Sequence, residues 1–571
     1  MSGARIVRRE AASSGGFAPS LHPVLRRVYA SRGLTNDDDL DLSLGRLLPV
    51  GSLAGVDEAV QLLARHREAG RVLIVGDFDA DGATSSALMV RALRALGFAH
   101  VDYLVPDRFR FGYGLTPEIV ASAATLRPTL IVTVDNGVSS LDGVTAAREA
   151  GIAVLVTDHH LPGPQLPAAD AIVNPNLRGS SFGSPALAGV GVAFYVIAAL
   201  ARALPPCGFN PADLLDLVAL GTVADVVPLD RNNRILVSQG LRRIRAGRCV
   251  PGLRALLAAG GRRLEQIVAA DLGFAAAPRL NAAGRIADMR IGIECLLADT
   301  DAGAAALAAQ LSRLNEERRE IERRMQFEAV DIAAAMQAAP ATEAALGLCL
   351  FDESWHQGVV GLVAGRIKER LHRPVIAFAR AADGSLRGSA RSIAGVHVRD
   401  ALEGISVRHP GLIEKFGGHA MAAGLTLRFE NLEAFRAAFA AEVAARADPA
   451  TMDGVIHSDG AIAAADLSIA TARALADGGP WGQGFPEPVF DGEFEVRDAR
   501  VVGERHLKLR LCPADGAADS FDAIAFGFID GTAAGAPPPS GARVATAFRL
   551  EVNEYNGRTR LQLNCQHLRR L

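Results

Sequence analysis

Three short stretches of the chain set acidic and imidazole side chains directly behind apolar runs. GDFDADG places Asp77, Asp79 and Asp81 at alternate positions after VLIV (72–75). LIVTV (130–134) runs into Asp135-Asn136-Gly137, and AVLVT (153–157) into Asp158-His159-His160. Turn formation and helix capping account for the first stretch taken alone, with Asp81 as the cap. A lone histidine pair is usually structural. Three strand ends in succession are another matter, because open α/β sheets bind ligands beyond the carboxyl ends of their strands. Capping does not require that coincidence. Asp225, inside ALGTVADVVPL, adds either a further carboxylate to the same crevice or a solvent-facing one.

Carboxylates packed this closely resist ionisation unless cations neutralise them. Oxygen-rich ligation with one or two imidazoles and no thiolate suits Mg²⁺ or Mn²⁺ better than zinc. Two such ions about 3.5–4 Å apart would activate a water and steady an in-line displacement at phosphorus. The residues therefore predict a two-metal phosphoesterase.

The elements that must carry these residues follow from the hydropathy pattern. From residue 71 to about 171 the chain repeats strand, loop and helix, with VDYLV (101–105) and IAVLV (152–156) as further apolar runs. Runs buried on both faces and separated by amphipathic helices predict a parallel sheet covered on both sides. Residues 187–297 read as mainly helical. QLSRLNEERREIERRMQFEAVDIAAAM, with no Gly or Pro, predicts one extended helix bridging two domains, its charges forming a solvated face. A second α/β region spans about 345–442, with RGSARS and FGGHAMAAG read as loops. The final hundred residues alternate apolar and polar positions around turns such as Asn556-Gly557, which predicts a small β-barrel. The expected division is an N-terminal segment 1–50, a metal-bearing domain 51–300, a connecting helix 301–340, a second α/β domain 341–450 and a barrel 451–571.

With 571 residues the chain is too long for one core. Its formal net charge of -3 means that positive charge for a polyanion must be gathered locally. The six cysteines are far apart and form no C-x-x-C pair, which excludes a zinc ribbon and a disulfide framework. That usage fits a reducing cytoplasm. No signal-peptide core and no apolar run of about 20 residues is present, so no membrane span is expected.

Asp158-His159-His160, GDFDADG and VDNG together resemble the signature motifs of the DHH phosphoesterases. The resemblance implies that Asp79, Asp81, Asp135, His159 and Asp225 carry Mn²⁺ or Mg²⁺, with Asp77 in the same shell. It places His160 near the scissile phosphate, makes Asp79, Asp81 and His160 the catalytic group, and leaves Asp158 to orient an imidazole. PDRFRFGYGL, ADVVPL, PRLNAAGR, RGSARS and FGGHAMAAG resemble the branch of that family that trims single-stranded DNA. In position and pattern the last 110 or so residues are similar to that branch's oligonucleotide/oligosaccharide-binding barrel. The implied architecture is a parallel-sheet DHH domain, a long helix, a DHH-associated α/β domain and an OB-like barrel.

Arg387, Ser389 and Arg391 offer guanidinium forks and a hydroxyl suited to a terminal phosphate, or else a solvated loop. The resemblance selects Ser389 and Arg391, with Arg108, as the pocket for a 5′ phosphate. Gly417-Gly418-His419 is similar to the glycine-histidine motif of the associated domain; Gly418 and His419 would approach a phosphate, or form a tight turn. Arg279 and Arg285 are candidates for DNA-backbone contacts or for internal salt bridges. Phe494, Phe521, Phe526, Phe528 and Phe548 read as barrel core, and Tyr555 as the exposed ring. The family reading is 5′-to-3′ release of mononucleotides from single-stranded DNA in repair and recombination. It implies a cytoplasmic monomer, with single-strand-binding protein and a helicase as partners. The rival readings are a phosphodiesterase for short oligonucleotides or cyclic dinucleotides, and a non-catalytic DNA-binding scaffold.

Overall fold

The computed structural model describes residues 5–10, 16–107, 111–338, 346–448, 454–503, 505–514, 520–529, 536–555 and 557–571. The chain forms two compact units. One comprises Ala11–Asn315 with Arg473–Glu487, the other Met1–Glu10 with Glu316–Ala472 and Pro488–Leu571. The division falls inside the helix Asp301–Ala338.

After a short strand β1 (Arg5–Arg8), the first unit builds β2 (Arg71–Gly76), β3 (His100–Leu104), β4 (Leu130–Val134), β5 (Ala153–Thr157) and β6 (Ala171–Val173). All pairings among β2–β6 are parallel, in the order β3-β2-β4-β5-β6. The continuous apolar runs of β2, β4 and β5 are buried, as strands covered on both faces must be. β3 is one edge, and its His100 and Asp102 are exposed around a buried Val101. From β2 the chain passes to β3 on one side and then to β4 on the other. This makes the β2/β4 boundary the switch point where such sheets bind ligands. The helix Gly189–Ala203 is apolar all round and is correspondingly buried. It and Leu215–Ala224 pack on the helix Ala80–Ala95.

The second unit holds a sheet of β7 (Leu348–Phe351), β8 (Val375–Arg380), β9 (Leu386–Arg391), β10 (Lys415–Gly418) and β11 (Ala422–Leu427), ordered β10-β11-β9-β8-β7. RGSARS is therefore not a loop. It forms most of β9, with Leu386, Gly388 and Ala390 inward and Arg387, Ser389 and Arg391 outward. FGGHAMAAG is likewise a hairpin of β10 and β11. Gly, Ser and Ala have low strand propensity, but pairing on both sides of β9 and β11 overrides it. The core beneath includes Phe378, Phe435 and Phe439, the first two edge-to-face at 5.7 Å.

β12 (Val455–Ser458) pairs in parallel with β1. The closed barrel comprises β13 (Phe490–Val502), β14 (His506–Pro513), β15 (Phe521–Ala525), β16 (Arg543–Tyr555) and β17 (Arg558–Arg570). Phe494 and Phe548 lie in its core. Phe526 does not: it follows the end of β15 and is 59% exposed, while Phe521 and Phe528 are half-buried. The Tyr555 side chain and Asn556 lie outside the described residues. On Asp301–Ala338 the charges are mostly exposed, except that Glu322 is buried against Arg318 and Arg366. All six cysteines are free thiols. Among the described residues no single helix is long and apolar enough to cross a membrane.

Candidate metal centre

Sheet register aligns the acidic motifs. Gly76 pairs with Val134 and Val134 with Thr157, so the residues that follow, Asp77, Asp135 and Asp158, leave three adjacent strands at one level. Asp79, not Asp81, caps the helix Ala80–Ala95 by accepting the Gly82 N–H at 3.0 Å. Asp81 instead accepts the Gly189 and Val190 amides, at 2.7 and 3.0 Å, from the start of the helix Gly189–Ala203. Asp135 adopts φ +62°, an uncommon conformation for a residue with a Cβ. Asp225 ends the helix Leu215–Ala224 and is followed by Val226, again at φ +62°.

These placements bring the predicted ligands together. Single donor atoms of Asp77, Asp79 and Asp135 lie within 4.8 Å of one another, as do those of Asp81, His159 and Asp225, and of Asp135, His159 and His160. His159 Nε2 is 3.1 Å from Asp135 Oδ1 and 3.5 Å from Asp225 Oδ2. Asp158 Oδ1 accepts from His160 Nδ1 at 2.8 Å, and its Oδ2 from the Val138 amide.

Electrostatics tests whether dications fit. Burial, then repulsion from Asp225 and Asp79, holds the Asp81 carboxyl well above the usual range. Burial and four neighbouring carboxylates do the same to Asp135. Asp225 is pushed up to about 7 by burial and by Asp79. Burial works against the charge on both partners of the Asp158–His160 pair. Their hydrogen bond and attraction prevail, lowering Asp158 and raising His160 to about 9. Asp135 Oδ1 and Asp225 Oδ2 are buried and accept no hydrogen bond. Unpaired carboxylate oxygens, raised proton affinities and a facing imidazole form a donor set that divalent cations satisfy.

Three domain families match the chain: the N-terminal domain of the DHH family over residues 71–222, the DHHA1 domain over 342–445 and the RecJ OB domain over 458–567. The chain is 53% identical to the single-stranded-DNA-specific exonuclease RecJ of Dickeya dadantii, covering 98% of each. The chain belongs to the RecJ exonuclease family. Its identity to the RecJ of Escherichia coli is 51%, over 97% of each chain. The crystal structure of Thermus thermophilus RecJ in complex with Mn²⁺ matches with a TM-score of 0.79 at 34% identity, covering 96% of this chain and 76% of that one. The Mg²⁺ complex matches at 0.74.

Other predicted positions in this RecJ-family chain fall as follows. Ser389 and Arg391 share the outward face of β9, with Arg391 Nη1 donating to Ser389 Oγ at 3.0 Å. Gly418 pairs with Ala423, which pairs with Ala390, so the hairpin lies alongside them. His419 is exposed and its amide closes the turn onto the Ala422 carbonyl. Arg108 lies outside the described residues. Arg279 is half-buried. Its Nε, Nη1 and Nη2 donate to Ser312 Oγ and the Ala275 and Ala259 carbonyls. Ala259 ends the helix Pro251–Ala259, whose last carbonyls lack intrahelical donors, and Arg279 supplies one. Arg285 is half-buried in the last turn of Ala277–Ile286.

Three contributors escape residue-by-residue reading. The Tyr113 hydroxyl donates to the Asp135 carbonyl at 3.2 Å and sits 3.0 Å from His160 Nδ1. Asn281 Oδ1 accepts the Ala80 amide at 2.8 Å, bracing the Asp79–Asp81 turn. Both lie in motifs visible in the sequence, which do not reveal their partners. The Gly189 and Val190 amides that hold Asp81 carry no sequence signal.

Proposed function

We propose that this chain hydrolyses single-stranded DNA from a 5′ end, releasing mononucleotides, with two bound Mn²⁺ or Mg²⁺ ions. The observation that carries the proposal is the pair of ligand groups, Asp77/Asp79/Asp135 and Asp81/His159/Asp225, meeting at the switch point of the sheet. The relatives' name, single-stranded-DNA-specific exonuclease, supplies the substrate. Bound dications would supply an activated water and neutralise charge on the phosphate. The chain's own part is to orient. Asp158 accepts a hydrogen bond from the Nδ1–H of His160 and so leaves His160 Nε2 to face the phosphate, where it can donate to an oxygen. The amides of Gly189 and Val190 fix the direction of Asp81.

A second site supports end recognition. Ser389 and Arg391 face the first turn of the helix Val360–Leu371. A Cβ on Gly361 would stand 2.9 Å from Ser389 Oγ and 3.0 Å from Arg391 Nη2. A helix N-terminus, a hydroxyl and a guanidinium together suit a terminal phosphate. Gly418 and His419 complete the proposed cradle. In this reading 51–300 is the catalytic domain, 301–340 the connecting helix, 341–450 the end-binding domain and 451–571 the strand-binding barrel. The protein works as a cytoplasmic monomer beside single-strand-binding protein and a helicase, in repair and recombination. Incubating a 5′-labelled single strand with Mn²⁺ tests the proposal: labelled mononucleotide should appear first. Release from the 3′ end, or hydrolysis of dinucleotides alone, would overturn it.

A further inference from the structure

Asp77, Asp79 and Asp81 each accept a backbone amide, and Asp135 follows directly on β4. Asp225 instead ends a helix. Its Oδ2 is buried without a hydrogen bond and faces His159 Nε2 at 3.5 Å. Its direction is therefore set by its backbone. That backbone turns sharply at Val226, a β-branched residue in the left-handed region, which persists only where the surroundings over-determine it.

The surroundings come from far along the chain. The Leu229 amide donates to the Gln483 carbonyl at 2.7 Å. Gly482 and Gly484 lie flat on this turn; a Cβ on Gly482 would stand 2.7 Å from Leu229 Cδ1, and one on Gly484 3.2 Å from Pro228 Cβ. The Pro228 carbonyl in turn accepts from Asn233 Nδ2 at 2.9 Å. The segment Arg473–Glu487 that provides these contacts packs with the metal-bearing unit, although the residues on either side belong to the other unit. Several groups latch it there. Trp481 and Phe485 stack at 5.1 Å. The Tyr29 ring lies 6.0 Å from Trp481, and its hydroxyl donates to the Gly478 carbonyl at 2.8 Å. Arg32 donates twice to the Pro486 carbonyl, and the buried Arg234 guanidinium covers Phe485 at 4.3 Å.

We propose that Arg473–Glu487 is a strap that positions Asp225 for metal binding, held in place by Tyr29, Arg32 and Arg234. The strap touches neither metal nor substrate; its residues are positioning residues. It gives the helix Pro23–Ala30, in an N-terminal segment whose sequence suggests no role, a place in the chemistry. The inference rests on the reading of Asp225 as a ligand.

The test is a titration of the full chain with Mn²⁺, counting free ion by electron paramagnetic resonance, beside melting curves in EDTA. Phe485→Leu keeps an apolar side chain but loses the stack. It should weaken one of two bound Mn²⁺ ions by about tenfold or more, the usual consequence of removing support behind a ligand. The Mn²⁺ needed for half-maximal activity should rise in step, with kcat recovering at saturating Mn²⁺ and single-strand binding in EDTA unchanged. Phe485→Tyr should restore the affinity. A lower melting temperature with both Mn²⁺ affinities intact would reduce the strap to scaffolding and overturn the proposal. Should Phe485→Leu not fold, Tyr29→Phe removes only the bond to Gly478, and the same two outcomes apply to it. Asp225→Asn separates the premises. If it leaves both ions bound as before, the assignment of Asp225 as a ligand is what has failed.

Discussion

Asp225 and Asp81 are carboxylates whose surroundings suit them to a cation. Asp81 is buried and Asp225 half-buried among other acids, and both hold protons more tightly than a free aspartate. For Asp225 the folded value of about 7 lies above the ordinary 3.8. A raised value means that its contribution to the stability of the metal-free fold is complete below about 4 and is lost as pH rises through about 7. Mn²⁺ displaces that proton and reverses the loss. The rise in melting temperature on adding Mn²⁺ should therefore be larger at pH 8 than at pH 6, and Asp225→Asn should flatten the difference. Asp158 acts one step back, through His160. Asp158→Asn should cost about 10–100-fold in activity, as loss of a ligand's or catalytic imidazole's supporting carboxylate does. Steady-state kinetics at saturating Mn²⁺ would measure this. The alternation of Asp77, Asp79 and Asp81 was readable in the sequence, but their division of labour was not. Which aspartate caps the helix depends on the Gly189 amide, more than a hundred residues away.

Elements were readable where burial alone dictates them. The runs of β2, β4 and β5 are apolar because both faces are covered, and no other element fits them. β9 failed to appear because its residues are small or charged, and only its neighbours β8 and β11 make it a strand. The motif PRLNAAGR announced itself as a segment but not as a brace. Its Asn281 holds the Ala80 amide, which is buried with its residue. Asn281→Ala leaves that donor unsatisfied and should destabilise the metal-free protein by about 1–3 kcal/mol, visible in urea unfolding. A smaller-than-expected loss with unchanged Mn²⁺ affinity would show that the turn before the helix Ala80–Ala95 needs no brace.

The molecule as a whole carries a net charge of -3, so its hold on a polyanion must be local. The arrangement of Ser389, Arg391 and the first turn of Val360–Leu371 is the place proposed for it, and it lies in a different unit from the acidic cluster. Arg391→Ala should lower kcat/KM for 5′-phosphorylated strands by about tenfold to a hundredfold, the worth of a charged hydrogen bond. Strands with a 5′ hydroxyl should be much less affected, so comparing the two ends separates recognition from chemistry. None of this was visible as geometry in the sequence, because the helix and β9 meet only in the folded sheet. The chain also folds across its own domain order, with Arg473–Glu487 returning to the first unit, which no local pattern could announce. At the centre of the account stand two ions held by six side chains. Anomalous diffraction from crystals grown with Mn²⁺ tests it most directly: two peaks should appear, one among Asp77, Asp79 and Asp135 and one among Asp81, His159 and Asp225. No peak in that crevice, or ions bound only elsewhere, would contradict it.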